Sequence, residues 1–203
     1  MYLDKDIVKE GNPELTTPCE KVRLPLSEDE ETCIRGMFEY LVVSGVDELV
    51  KKYKIRPGVG LAAPQVNVSK RMFCMNCNDF LDKKNKNYTY ALINPQIIAH
   101  SEEMTYLPGG EGCLSVVRDT TGLVTPRYYA IKFRAQEYDY KSGKVKSITK
   151  VLEGYPAIVF QHEYDHLDGI LYTSKMYKKE DLDIPPLYTI EEDDEEDDEK
   201  SEA

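Results

Sequence analysis

Apolar residues at Ile34, Met37, Phe38, Leu41 and Val42 recur at spacings of 3, 1, 3 and 1, which is one face of an α-helix. Ser27 with Glu30 three residues on supplies a capping box, so the helix starts there and ends near Gly45. Residues 47–53 extend or restart it. Beyond Gly58 the texture changes. Residues 72–74, 90–93 and 97–99 read as short strands. Residues 129–137 alternate, with Ile131, Phe133 and Ala135 on one side and Lys132, Arg134 and Gln136 on the other. A turn at 141–144 lets 145–152 return as a hairpin partner. The polar stretch 76–87 reads as an exposed loop. Gly154-Tyr155-Pro156 opens a second helix, with proline at a position where its missing N–H costs nothing. That helix runs over 156–168 and stops at Gly169. The order of helix, strands and helix predicts an α+β fold, with antiparallel sheets packed around a central helix.

Composition sharpens this picture. The chain has 203 residues, 41% of them hydrophobic, enough to fill one core. Its net charge is −11, and residues 191–203 hold ten acids and one Lys, so −9 of the total sits there. The expected organisation is a single catalytic domain over 1–190 and a solvated, mobile acidic tail over 191–203. The remaining body is near neutral and has no basic block, which argues against sequence-specific nucleic acid as a partner. No apolar run approaches the ~18 residues of a membrane span, and the start lacks the pattern of a signal peptide. Five cysteines at irregular spacing do not resemble a disulfide framework, so a reducing cytoplasm is expected.

Three segments carry chemistry. His162-Glu163-Tyr164-Asp165-His166 is H-E-x-x-H, and in a helix its two imidazoles share a face one turn apart. They can bind one metal ion, with Glu163 next to a water on it. The alternative is a pair of buried imidazoles bonded to carboxylates or carbonyls, since the row Ile158, His162, His166 points inward. An open catalytic site needs a third ligand. Cys113, in Pro108-Gly-Gly-Glu-Gly-Cys-Leu-Ser115, stands among glycines that let backbone approach closely; a small packed core residue is the other reading. Gly58-Val-Gly-Leu-Ala-Ala-Pro-Gln65 lacks the spacing of a dinucleotide loop and could equally be a tight packed turn. Cys74 and Cys77 form a C-x-x-C with no second pair to complete a zinc site.

Taken together, GVGLAAPQ (58–65), EGCLS (111–115) and QHEYDHLDG (161–169) resemble the three motifs of peptide deformylase, in order and separation, over most of the body. Tyr106-Leu-Pro-Gly-Gly, GYPAIVFQHE and the long segment before Gly58 resemble its bacterial type II branch. The resemblance implies a metallohydrolase that removes the N-formyl group from the formylmethionine of new polypeptides and releases formate. It implies Cys113, His162 and His166 as metal ligands, Glu163 as general base, and Gln65 with the backbone N–H of Leu114 as donors to the oxygen that becomes negative. It implies one divalent ion, natively Fe²⁺, with Zn²⁺, Ni²⁺ or Co²⁺ able to replace it. Val59, Gly60, Tyr155 and Ile158 are the expected substrate pocket, with Val159 as pocket or plain core. Glu111 and Asp165 are candidates to orient the imidazoles. The expected partners are an N-formylmethionyl peptide and, transiently, the ribosome; the expected state is a monomer. A metallopeptidase using H-E-x-x-H with Glu180 or Asp181 is the rival reading, and a non-catalytic metal- or thiol-binding module a third.

Overall fold

A computed structural model describes residues 1–189, so the expected acidic tail lies outside the described residues. Among the described residues three α-helices and nine strands follow in chain order: α1 Glu28–Ser44, α2 Asp47–Tyr53, β1 Gly60–Ala62, β2 Met72–Asn78, β3 Asn87–His100, β4 Met104–Thr105, β5 Leu123–Val124, β6 Arg127–Tyr128, β7 Ala130–Tyr138, β8 Val145–Glu153, α3 Tyr155–Leu167 and β9 Tyr177–Lys178. The fold is α+β, as its pattern predicts. An antiparallel five-stranded sheet has the order β1-β2-β3-β7-β8, and β4-β6 and β5-β9 form two small ribbons.

The capping box forms at the start of α1: Ser27 Oγ accepts from the Glu30 N–H at 3.2 Å, and Glu30 Oε2 accepts from the Ser27 N–H at 3.0 Å. Cys33, Ile34, Met37, Tyr40 and Leu41 of this helix are buried, but Val42 is 47% exposed and lines a cleft instead. The stripe is rotated toward Tyr40, whose hydroxyl donates to the Arg56 carbonyl at 2.9 Å.

Two corrections concern strands. Residues 90–93 and 97–99 belong to one long strand, β3. Pro95 hides the continuity, because it cannot donate to a ladder, and the register shifts there between Ile93 and Gln96. Asn94 closes the irregularity by bonding both the N–H and the carbonyl of Val22 at 2.9 Å. The stretch 76–87 is not all loop: Asn76 and Asn78 finish β2, and Asn87, which starts β3, pairs with Asn78. These polar residues alternate as strand residues do, but on a wall of the cleft, where no apolar pattern marks them.

The sheet separates two cores. Met72 and Cys74 pack with Ile34, Met37 and Leu41 under α1. Phe73, Met75 and Cys77 pack with Ala157, Val159 and Phe160 of α3 on the other face. Phe160 meets Phe73 edge-on at 5.1 Å and Phe133 at 4.4 Å. Strand alternation therefore sends Cys74 and Cys77 to opposite faces, both buried and unpaired, so the C-x-x-C is two packing residues and not a thiol pair. Nearly every residue of α3 is buried, polar ones included, which makes it the central helix of the fold. It ends where Gly169 takes φ +71°; a Cβ there would lie 2.7 Å from the Thr16 carbonyl carbon.

Candidate active site

Helix α3 places His162 and His166 one turn apart, with ring centroids 5.0 Å apart. Cys113 arrives on the segment between β4 and β5, pinned by the Val116 N–H on its own carbonyl at 3.2 Å. Its Sγ lies 3.4 Å from His166 Nε2. One ligand atom each from Cys113, His162 and His166 fall within 4.8 Å of one another, the one such group among the described residues. Glu180 and Asp181, the carboxylates of the rival peptidase reading, are exposed in a short turn and are not part of it.

Chemistry around these donors suits a cation. Glu111 Oε2 sits 2.7 Å from His162 Nδ1. A carboxylate only accepts, so Nδ1 carries a proton and Nε2 is the ring nitrogen left to face a metal. Burial would raise the Cys113 thiol, but the charge of His166 and hydrogen bonds from both imidazoles hold it well below its ordinary value, as a thiolate. Burial would lower His162, but Cys113 and Glu111 push it well above its ordinary value. A thiolate flanked by two imidazoles calls for positive charge among them, and a divalent ion held by these three donors would supply it.

Glu111 is held by a residue that sequence reasoning missed. Arg127, on β6, is buried and donates to both Glu111 oxygens at 2.7 and 2.8 Å. Its other nitrogen donates to Asp165, which also accepts from Lys175 at 2.8 Å. Burial opposes the Glu111 charge, but Arg127 outweighs it and holds the carboxyl down to about 2. Asp165 therefore orients Arg127 rather than an imidazole, because its place on α3 turns it away from both rings toward β6. His166 Nδ1 is buried without a partner among the described residues.

Glu163 is buried beside the imidazoles, and its Oε2 has no hydrogen-bond partner among the described residues. Burial pushes its carboxyl up to about 7, against the pull of His162 and His166. It fits because β1 contributes Gly60: a Cβ there would stand 2.1 Å from Glu163 Oε1. The glycine expected to admit substrate thus makes room for a carboxylate. Gly60→Ala should displace Glu163 and lower turnover at least as far as removing the carboxylate does, which steady-state kinetics on the folded, metal-loaded variant would check.

Gln65 is buried in the turn after β1. Its Oε1 accepts from the Ala62 N–H at 2.8 Å, which aims its amide N–H groups at Ser115 Oγ (3.2 Å) and Cys113 Sγ (3.4 Å). A cleft of about 940 Å³ opens over the site and is lined by Val59, Leu114, Tyr155, Ile158 and Val159 together with the reactive groups. Val59 is 40% exposed at its mouth, whereas Ile158 is buried and half-buried Tyr155 meets Phe80 at 4.9 Å. No helix among the described residues is long and apolar enough to cross a membrane.

Comparison with known proteins places the chain among relatives. A sequence model described as polypeptide deformylase matches residues 4–181. Peptide deformylase 2 of Bacillus cereus is 44% identical over 185 residues, covering 91% of this chain and 96% of its own. A class I type b peptide deformylase from Acinetobacter baumannii superposes with a TM-score of 0.65 at 25% identity, over 84% of this chain and 97% of that one. The structure of an Acinetobacter baumannii class I type b enzyme with Met-Ala-Ser bound has a TM-score of 0.58 at 27% identity, over 83% and 96%. This chain belongs to the polypeptide deformylase family, metal-dependent enzymes that remove the N-formyl group from nascent polypeptides.

Proposed function

We propose that Cys113, His162 and His166 hold one divalent metal ion and that Glu163, Gln65 and Leu114 carry out hydrolysis of the formamide bond on an N-formylmethionyl peptide. The observation that carries this reading is the convergence of a thiolate and two imidazoles beside a buried carboxylate with a free oxygen. An ion held there supplies Lewis acidity, which lowers the pKa of a bound water. Glu163 takes the proton of the attacking water and delivers it to the amine as formate leaves. The Gln65 amide, fixed through Ala62, and the Leu114 N–H donate to the formyl oxygen as charge develops on it. Tyr155, Ile158 and Val159 offer apolar surface for the methionine side chain in the same cleft that Val59 and Gly60 line. Met-Ala-Ser in the related Acinetobacter baumannii structure supports a short peptide as ligand of this cleft.

Iron(II) as native ion follows the family resemblance; thiolate and imidazole accept zinc equally well. The same reading takes residues 1–190 as one catalytic unit, working as a cytoplasmic monomer with transient access to the ribosome. Primary amine release from formyl-Met-Ala-Ser by anaerobically purified protein tests the activity; cleavage of unformylated protein instead would favour a peptidase. Cys113→Ser should fold but lose its metal on gel filtration, by elemental analysis. Full metal retention would remove the sulfur from the ligand set.

A further inference from the structure

Two cations outside the donor set converge on the backbone behind the sulfur. The Leu114 carbonyl accepts from Lys9 Nζ at 3.2 Å and from Arg56 Nη2. Asp4 stands behind both, 2.7 Å from Arg56 Nε and 3.7 Å from Lys9 Nζ. The peptide unit that carries this carbonyl carries, at its other end, the Ser115 N–H, which donates to Cys113 Sγ at 3.4 Å. The N-terminal segment is fastened at this point: the Val8 N–H donates to the Gln65 carbonyl at 2.9 Å and the Glu10 N–H to the Ser115 carbonyl at 2.8 Å.

Cations on an amide oxygen draw electrons through the amide and make its N–H a stronger donor, as in any polarised hydrogen-bond chain. Hydrogen bonds to a thiolate in turn reduce the electron density it gives to a metal. We propose that Lys9 and Arg56 are positioning residues that act on the Cys113 thiolate through the Leu114–Ser115 peptide unit and keep the sulfur a weaker electron donor than a bare thiolate. The proposal rests on Cys113 being a metal ligand. It explains why two cations are spent on a backbone carbonyl already beside a cleft wall, with one carboxylate shared between them.

Co²⁺-loaded protein provides the test, read as the sulfur-to-cobalt charge-transfer absorption in the near ultraviolet. Arg56→Met should move that band to longer wavelength, because a more electron-rich sulfur is easier to oxidise, and Lys9→Met combined with Arg56→Met should move it further. Arg56→Lys, which keeps a cation, should restore most of the wild-type position. Arg118→Met breaks the Arg118–Glu10 pair on the same segment without touching the Leu114 carbonyl and should leave the band in place. An unmoved band in the double variant, or an equal shift in Arg118→Met, overturns the relay. Absence of any sulfur-to-cobalt band in the wild type would instead remove the ligand assignment beneath it.

Discussion

Glu163→Gln is expected to keep its metal and its fold and to lose about 10²–10⁴ in kcat, the usual worth of a positioned general base. The amide has the shape of the carboxylate, so it fits against Gly60 as Glu163 does. What it lacks is the ability to accept a proton. Glu163 Oε2 is buried without a partner among the described residues, which is costly for a polar atom and useful only where a reacting group supplies the missing bond. Burial has also moved the carboxyl toward neutrality, where proton exchange with a reacting group is most efficient. Because the wild type keeps this unpartnered acid in its core, the substitution should not lower Tm. Kinetics on formyl-Met-Ala-Ser, with metal content measured on the same sample, separates base from ligand. Turnover at the wild-type level would sink the assignment; loss of metal would move Glu163 into a structural role.

Much of this arrangement is legible from local spacing, and the rest depends on partners far along the chain. The capping box of α1, the β7–β8 hairpin and the limits of α3 follow from periods and caps that a few neighbouring residues set. The H-E-x-x-H row points inward because the helix period dictates it. Cys113 draws notice through its glycines, but its meeting with His166, 53 residues on, is a property of the fold. Strand β3 is obscured by Pro95 in its middle, and the end of β2 by asparagines that face a cleft rather than a core. Gly60 shows the limit most clearly. Its lack of a side chain is visible, but what occupies the space, a carboxylate from α3, is not. Nothing around Arg127 marks it, because a buried guanidinium is recognised only by the carboxylates it neutralises, 16 positions before it and 38 after it.

That cation leads to the largest expected loss of stability. Arg127→Met fills much of the volume with an apolar chain but leaves Glu111 and Asp165 buried, with Lys175 the one remaining cation on Asp165 among the described residues. Removing one partner of a buried ion pair costs about 3–5 kcal/mol, because the carboxylates left out of water lose the guanidinium that neutralised them. For a domain of this size that corresponds to a fall of about 6–20 °C in Tm. The damage reaches the metal site along one bond. Glu111 holds His162 Nδ1, and a carboxylate no longer clamped from behind leaves that ring free to turn; the loss of such an outer partner costs about 10–100-fold in metal affinity. Adding Asp165→Asn and Glu111→Gln to Arg127→Met removes the stranded charges and keeps an acceptor for His162. Tm should then recover in part while metal affinity stays low, since a neutral amide holds the imidazole N–H less firmly than a carboxylate. A single Arg127→Met variant that melts with the wild type would mean that the two carboxylates are solvated in solution, and the buried cation would lose its place as the support of His162.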